Sequence, residues 1–407
     1  AFLLMSIDGV INGESGDREI VDLIWFPTGG GKTEAYLAVM ALYMFHERFL
    51  IDGRPGELER DGTNVLMRYT LRMLTTQQFQ RAASLICAME FLRRNPAHQK
   101  EGEIPGKRFS LGLWVGGDGS PNKIADANAK LAQFRNGGLE GNPLVLTECP
   151  WCRSEIGRFD GPKPAMRRVI RDGQWNSMRV RGIDTHPAEG PRLLCPDSSC
   201  SFGQELPSEW LPVEVIDERI YANPPSLIIA TADKLAMISY RPAAGALFGK
   251  YFVGNISQQR AWPPALIIQD ELHLISGPLG PMYEGVIERL CSVRSGETWI
   301  KPKIIASTAT IRGASDQVMA LYARPETQLF PNPGLFMGDS FFGKYARDKS
   351  GTLSEGRLYL GIHASDYGSV LTTQVRAFSS ALFRPWLFAE DQRDALWSLL
   401  ALYNRSR

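Results

Sequence analysis

Three glycines followed by a lysine and a threonine, in "TGGGKT" (residues 28–33), are the first residues whose types and spacing could do chemistry. Glycines let successive backbone N–H groups approach phosphate oxygens, and a helix starting directly after them adds the partial positive charge of its N-terminus. In this pattern Lys32 reaches the β and γ phosphates of a nucleotide, and the Thr33 hydroxyl holds Mg²⁺. The predicted nucleotide-binding set is completed by Thr28, Gly29, Gly30, Gly31 and Glu34.

A pair of carboxylates follows an apolar run in "LIIQDELHL", residues 266–274. An apolar strand that ends in Asp-Glu places both acids at the carboxyl edge of a sheet, where ligands of open α/β sheets bind. There Asp270 would hold Mg²⁺ through a water, and Glu271 would position and deprotonate the water that attacks the γ-phosphate. The plainer alternative is that the two acids cap the following helix. The glycine loop upstream favours the catalytic interpretation.

Four of the six cysteines form two close pairs, a C-x2-C pair at Cys149 and Cys152 and a C-x4-C pair at Cys195 and Cys200. Each pair presents two thiolates on a short knuckle, and four thiolates make a closed tetrahedral Zn²⁺ site. Such a site is structural, because it leaves no open position for chemistry. Disulfides and unpaired thiols are the alternatives, and the sequence shows no secretion signal that would favour disulfides.

A basic segment with one tryptophan runs between the two cysteine pairs, over residues 161–182. Its arginines could bind the phosphates of a nucleic acid, and Trp175 could stack on a base. The residues leave two alternatives open: a surface that binds a partner protein, or a solvent-exposed segment with no binding role. The arginines that we expect to contact nucleic acid are Arg167, Arg168 and Arg171.

Short apolar runs alternate with helical patterns along the chain, and these are the elements that must position the chemical residues. The run over residues 20–26, directly before the glycines, predicts a buried strand, and residues 264–272 predict another. Strands that alternate with helices predict an α/β fold with a mainly parallel sheet. The carboxyl edge of that sheet would bring the glycine loop and the two acids together.

The wide separation of the glycine loop from the two acids indicates an insertion in the nucleotide-binding domain. We expect that domain to comprise residues 1–118 and 220–330, with a zinc-binding insertion at 119–219. Residues 331–407 would be a linker and the incomplete beginning of a second domain. We expect the insertion to be a satellite that folds on its metal, so that loss of one cysteine unfolds it and leaves the ATP-binding core largely formed.

The composition excludes some classes of protein. The 407 residues are 44% hydrophobic and 22% charged, which is typical of a globular protein. Lys plus Arg number 45 against 44 Asp plus Glu, so any electropositive surface must be local. The chain has no run of about twenty apolar residues, so no membrane span is predicted. Its first residues lack the basic flank of a signal peptide. We therefore expect a cytoplasmic protein.

Several stretches occur in the order of the motifs of superfamily 2 helicases. The glycine loop, "DELH" (270–273) and "STAT" (307–310) resemble motifs I, II and III of that superfamily. Residues 69–82 resemble motif Ia, "WVGG" (114–117) the Gly-Gly element, and "ATADKLA" (230–236) the Thr-x-x-Lys-Leu element. The resemblance implies an α/β fold of the P-loop NTPase type, a RecA-like parallel sheet with helices on both faces.

Beyond these motifs, the sequence of residues 1–118 and 220–345 resembles the helicase-like component of the DISARM antiphage system. Helicases that carry a DUF1998 domain, including bacterial DNA-repair helicases, share much of it. The resemblance implies an ATP hydrolase that acts as a DNA helicase or translocase, with ATP and Mg²⁺ as cofactors. It also implies a DUF1998-containing partner protein and a DNA methyltransferase of the same system. An ATP-switched clamp that loads a partner onto DNA and a DNA-repair helicase remain alternatives.

The resemblance also assigns roles to further residues. His273 would link the nucleotide site to motif III, and Thr308 and Thr310 would couple motif III to the two acids. No Gln-x-x-Gly-Arg-x-x-Arg motif, the source of arginine fingers in the superfamily, occurs, and residues 399–407 resemble motif IV of a second RecA-like domain. We therefore expect this chain to be the half of a motor protein that binds ATP. Its track for the nucleic-acid backbone would include Arg72, Gln77, Gly116, Gly117, Thr231 and Lys234.

Overall fold

The apolar runs of the sequence form strands at the predicted places in a computed structural model of the chain. The described chain falls into two units, one of residues 1–336 with 340–342 and one of residues 337–339 with 343–407. The structure describes residues 1–25, 31–51, 57–69, 76–95, 103–117, 119–135, 137–139, 141–159, 180–186, 189–203, 210–253, 256–275, 279–295, 297–308, 313–332, 334–335, 339, 343–354, 356, 360–364, 369–388 and 399.

The strands are β1 (Val21–Trp25), β2 (Val65–Tyr69), β3 (Leu111–Trp114), β4 (Ile183–His186), β5 (Gly190–Leu193), β6 (Val213–Glu214), β7 (Leu227–Thr231), β8 (Lys250–Val253), β9 (Ile256–Gln259), β10 (Leu266–Gln269), β11 (Val293–Ser295), β12 (Thr298–Ile300), β13 (Lys303–Thr308) and β14 (Thr327–Phe330). The α-helices are α1 (Phe2–Ile11), α2 (Lys32–Phe49), α3 (Thr76–Arg94), α4 (Ile124–Arg135), α5 (Asp217–Ala222), α6 (Ala232–Ala236), α7 (Leu279–Cys291), α8 (Ala314–Tyr322) and α9 (Val370–Phe383).

Eight strands of the described residues form one sheet in the order β14-β1-β13-β10-β2-β7-β3-β6. Every neighbouring pair in it is parallel. The register places Trp25 beside Thr308 and Gln269 beside Ala306, so the carboxyl ends of β1, β13 and β10 lie at one edge. The predicted α/β fold with a parallel sheet is confirmed.

Helices cover both faces of the sheet, which explains why most residues of its central strands are apolar. Val65, Met67 and Tyr69 of β2 belong to one buried cluster together with residues of α1, α2, α3 and α4. Leu66 points to the opposite face and joins a second cluster with residues of α5, α6, α7 and α8. Helix α2 fits the first face because its buried residues recur at helical spacing. They include Tyr36, Val39, Met40, Tyr43 and Met44.

The predicted insertion shares the core of the sheet. Strand β6 lies inside residues 119–219 and pairs with β3, so the main sheet takes a strand from this segment. Leu146 and Phe202 of the insertion belong to the same buried cluster as Ile86 of α3. The insertion is therefore not a satellite with a core of its own, contrary to our expectation. The boundaries at residues 118 and 219 stay predictions.

The second unit contributes helix α9, whose N-terminus is capped by Ser369: its hydroxyl accepts a hydrogen bond of 3.4 Å from the Thr372 N–H. Of the residues that resemble motif IV, 399–407, only 399 lies within the described part of the chain. Across the described helices, none combines the length and apolar character that crossing a membrane requires.

Candidate nucleotide site and cysteine cluster

The N-terminus of α2 lies at the carboxyl edge of the sheet and begins with the predicted phosphate-binding residues. Gly31 precedes the helix in the left-handed conformation, with φ of 88°, which L residues with a side chain rarely adopt. Glu34 in the first turn forms an ion pair with Arg81 of α3. Thr28, Gly29 and Gly30 lie outside the described residues.

Lys32 and Glu271 meet across this edge. The Lys32 Nζ lies 3.8 Å from the Glu271 Oε1, and both side chains are largely buried. Glu271 lies two residues after the end of β10 and has φ of 50°, a left-handed conformation that is strained for glutamate. Strained backbone of this kind clusters at functional sites, because the surrounding structure must hold it in place. The predicted phosphate-binding lysine and the predicted catalytic carboxylate therefore come together in space.

Asp270 is buried, and hydrogen bonds fix the orientation of its carboxylate. Oδ1 accepts a hydrogen bond from the Ser307 hydroxyl and one of 3.1 Å from the Glu271 N–H. Oδ2 accepts one of 3.4 Å from the Tyr36 hydroxyl, which also lies 3.2 Å from the Thr33 Oγ1. Thr33 and Asp270 thus both lie within hydrogen-bond distance of the Tyr36 hydroxyl oxygen.

The oxygen atoms of Thr33 and Asp270 suit Mg²⁺, a hard cation that takes oxygen ligands. Their donor set consists of one hydroxyl and one carboxylate, and Lys32 stands nearby to pair with phosphate oxygens. The residues therefore fit a Mg²⁺–nucleotide complex.

The motif III stretch contacts both Asp270 and His273. Ser307, a motif III residue that we did not predict as a site residue, donates a hydrogen bond to Asp270. Thr308 Oγ1 lies 3.4 Å from His273 Nδ1, and that nitrogen lies 3.3 Å from the Glu271 Oε2. His273 thus lies near both Thr308 and Glu271, and its role as a link between them stays a prediction. Thr310 lies outside the described residues.

The four predicted zinc ligands come together from the two knuckles. The sulfur atoms of Cys149, Cys152, Cys195 and Cys200 all lie within 4.8 Å of one another, and none of them forms a disulfide. Zn–S bonds of about 2.3 Å in a tetrahedron put neighbouring sulfurs about 3.8 Å apart. The geometry therefore fits a Zn²⁺ ion held by four thiolates.

Hydrogen bonds favour one thiolate in this cluster, that of Cys149, and the same bond raises the pKa of its partner Cys195. Burial raises the pKa of Cys200 to about 11. A hydrogen bond from the Cys195 thiol, the largest of several causes, lowers the pKa of Cys149 to about 5. Backbone N–H groups also point at the sulfurs: that of Asp197 lies 3.4 Å from the Cys195 Sγ, and that of Phe202 lies 3.4 Å from the Cys200 Sγ. A cation is the partner that such a cluster of sulfurs needs.

The cysteine knuckles pack directly on α3. Trp151 stacks on Phe91 of that helix with ring centroids 4.8 Å apart, and Arg94 lies over the ring of Phe202. Ser84 of α3 donates a hydrogen bond of 2.9 Å to the carbonyl oxygen of Pro150. The cysteine cluster therefore packs against α3, whose first residues belong to the motif Ia resemblance.

Comparison with known proteins identifies the family. The chain is 35% identical over 443 residues to the DISARM protein DrmA of Bacillus paralicheniformis, in a match that covers 100% of this chain and 37% of the relative. The chain belongs to the DrmA family. It spans little more than a third of the length of that relative. A comparison with protein-family models gave no match.

Solved helicases show a more distant likeness to this DrmA-family chain. The DUF1998 helicase MrfA is 14% identical, covering 78% of this chain and 28% of its own, with a TM-score of 0.36. The Mycobacterium smegmatis helicase Lhr, solved with ssDNA and AMP-PNP, is 16% identical, covering 78% of this chain and 24% of its own, with a TM-score of 0.37. These TM-scores are too low to bear on the fold.

The predicted nucleic-acid residues of the DrmA-family chain lie in varied surroundings. Gly116 and Gly117 follow β3, and the Gly117 carbonyl accepts a hydrogen bond of 2.7 Å from Lys130. Thr231 is buried at the carboxyl end of β7. Outside the described residues lie Arg72, Arg167, Arg168, Arg171 and Trp175, together with the side chain of Gln77.

Lys234 is the predicted nucleic-acid residue with the most definite contacts. Its Nζ lies 2.5 Å from the Asp217 Oδ2 and donates a hydrogen bond of 2.7 Å to the Asn122 Oδ1. The Lys234 side chain is 11% exposed and that of Asp217 only 1%. The lysine thus ties α6 to α5 and to the loop after β3, which is a structural task.

We expect Lys234→Met to destabilise the protein by about 3–5 kcal/mol, because it removes the ion-pair partner of the buried Asp217 carboxylate. The hydrogen bond from the Tyr221 hydroxyl to Asp217 would remain. The double change Lys234→Met with Asp217→Leu should recover much of that loss. Urea unfolding of the two variants and the wild type measures both effects. A Lys234→Met protein of wild-type stability with weakened DNA binding would instead assign the lysine to the nucleic-acid track.

Proposed function

We propose that this chain is the ATP-binding half of a superfamily 2 DNA helicase or translocase that works in DISARM antiphage defence. The observation that carries the proposal is the meeting of Lys32, Thr33, Asp270 and Glu271 at one edge of a parallel sheet. These residues come from two sequence motifs far apart in the chain. Membership of the DrmA family supports the defence context.

Each of these residues has a role in hydrolysis of ATP. Bound Mg²⁺ would neutralise charge on the β and γ phosphates, and Thr33 and Asp270 would hold it. Lys32 would pair with the same phosphates. Glu271 would orient the attacking water and take its proton. Its proximity to His273, which in turn lies near Thr308, would connect this step to motif III.

The rest of the motor would come from outside this chain. Closure of a second RecA-like domain would supply arginine fingers, and no motif for them occurs in the 407 residues. We propose DNA as the substrate, single-stranded or duplex with a single-stranded end. A DUF1998-containing protein and a DNA methyltransferase of the same system are the proposed partners.

The experiment that tests the proposal is an ATPase assay of the full-length protein with and without single- and double-stranded DNA. We expect turnover that DNA stimulates, together with translocation or strand displacement. Binding of DNA and ATP with negligible turnover would favour the ATP-switched clamp instead. No binding of ATP would exclude both.

The arginine-rich segment provides a separate test of DNA contact. Changing Arg167, Arg168 and Arg171 together to Ala should weaken DNA binding similarly for all sequences and flatten its dependence on salt. The reason is that binding to DNA releases about one counterion fewer for each phosphate contact that is lost. Fluorescence anisotropy at several salt concentrations measures both effects.

The matched control changes two other arginines of the insertion, Arg153 and Arg158, to Ala. These pair with Glu148 and Glu155, so their loss should leave the salt slope unchanged. An unchanged slope in the triple variant, with loss of a co-purifying partner, would assign the segment to protein docking. In the same assay Trp175→Ala should weaken single-strand binding more than duplex binding, because only unpaired bases expose a face for stacking, worth about 1–3 kcal/mol.

A further inference from the structure

Two buried tyrosines lie directly behind the proposed Mg²⁺ ligands. Tyr36 is 0% exposed and Tyr69 is 2% exposed, and their hydroxyl oxygens are 3.3 Å apart. The Tyr36 oxygen also lies 3.2 Å from the Thr33 Oγ1 and 3.4 Å from the Asp270 Oδ2. One phenol oxygen is thus within hydrogen-bond distance of both groups that would hold the metal.

The fold brings these four residues together from three elements. Tyr36 stands one turn after Thr33 in α2, so the two side chains share a face of that helix. Tyr69 ends β2, and β2 pairs with β10 so that Arg68 lies beside Gln269. The Asp270 N–H donates a hydrogen bond of 3.3 Å to the Arg68 carbonyl, which places Asp270 beside the end of β2.

The hydroxyls are not needed for packing. Both rings belong to the buried cluster on the α1–α4 face, where phenylalanine would fill nearly the same volume. A neutral phenol can donate one hydrogen bond and accept others.

These properties suit the needs of a metal ligand. A threonine whose oxygen faces a cation keeps its proton for another acceptor, and the Tyr36 oxygen lies at the right distance. Asp270 Oδ1 already has donors in Ser307 and the Glu271 N–H, and the Tyr36 phenol completes the set at Oδ2. The carboxylate can then rotate only by breaking these bonds.

We propose that Tyr36 and Tyr69 are positioning residues that orient the Thr33 hydroxyl and the Asp270 carboxylate toward Mg²⁺. The inference rests on the proposed ATPase function of the same site. Tyr36 acts on both ligands directly, and Tyr69 holds the Tyr36 hydroxyl in place. Partners that orient metal ligands typically change metal affinity by about 10–100-fold when they are lost.

The test uses the full-length protein and measures binding of a non-hydrolysable ATP analogue at increasing Mg²⁺ concentration. We expect Tyr36→Phe to raise the Mg²⁺ concentration for half-maximal tightening of binding by about tenfold or more. Tyr69→Phe should raise it by less. Binding of the analogue without Mg²⁺ should match wild type, because Lys32 still pairs with the phosphates.

The matched control is Tyr43→Phe, two turns further along the same helix. Its buried hydroxyl bonds to Glu47, far along the helix from the metal ligands, so its loss should leave the Mg²⁺ midpoint unchanged. A shift in this variant as large as that of Tyr36→Phe would show a general loss of stability and overturn the inference.

Two outcomes separate this inference from the function on which it rests. A wild-type protein that binds no nucleotide at any Mg²⁺ concentration would overturn both. Tight Mg²⁺-dependent binding in the wild type, with an unchanged midpoint in folded Tyr36→Phe and Tyr69→Phe proteins, would overturn the positioning role alone and leave the ATP site in place.

Discussion

Glu271→Gln in the full-length protein is expected to lower ATP turnover by about 10²–10⁴-fold while nucleotide binding is kept. Glutamine has nearly the same shape but cannot take a proton from the attacking water. The Lys32 Nζ lies 3.8 Å from the Glu271 carboxylate, so removing that charge leaves the lysine free for phosphate. Affinity for ATP should therefore be equal to the wild type or tighter. Phosphate release and equilibrium binding of a labelled nucleotide measure the two quantities.

Lys32→Ala should behave in the opposite way and weaken nucleotide binding itself, because Lys32 pairs with phosphates in the ground state. Glu288→Gln is the control, since Glu288 is a carboxylate on α7 that pairs with Lys301 and Arg324. It should hydrolyse ATP at the wild-type rate. Wild-type turnover in the Glu271→Gln protein would remove Glu271 from the catalytic step.

Loss of the zinc site is expected to destabilise the whole first unit rather than the insertion alone. Cys149→Ser should remove the metal and, with it, a large part of the folding free energy that binding supplies, about 10–16 kcal/mol in isolated zinc modules. The knuckles share one buried cluster with α2, α3 and the sheet. Because domains are stable by only about 5–15 kcal/mol, we expect a strongly lowered Tm and weakened nucleotide binding.

Elemental analysis, thermal unfolding and nucleotide binding of the Cys149→Ser protein measure this effect. Cys291→Ala is the matched control, because Cys291 is equally buried but packs in the cluster on the other face of the sheet. It should keep one Zn²⁺ per chain and lose only a small part of the stability. A zinc-free Cys149→Ser protein with wild-type Tm and ATP affinity would show that the insertion is a satellite whose folding does not affect the ATP-binding core. Wild-type protein that contains no metal would exclude zinc.

The sequence by itself determined the fold class, and it predicted the residues that the structure brings together in the two candidate sites. A buried parallel strand reads as a continuous apolar run, and strands and helices alternate visibly along the chain. The glycine loop and the Asp-Glu pair stand directly at strand ends, so topology alone brings Lys32 and Glu271 to one edge. The cysteine pairs are equally local, because each knuckle sets the spacing of its own two ligands.

Only the tertiary structure decided which groups meet these residues. The sequence patterns do not show that the Tyr36 hydroxyl lies near Asp270 or that the Tyr69 hydroxyl lies near Tyr36, because neither segment predicts that β2 pairs with β10. In the same way, Lys234 finds its partner Asp217 in another element. The insertion joins the main core through contacts between α3 and the knuckles that are distant in sequence. Local patterns fix which face of an element is buried, whereas the partner across the core depends on how all the elements pack.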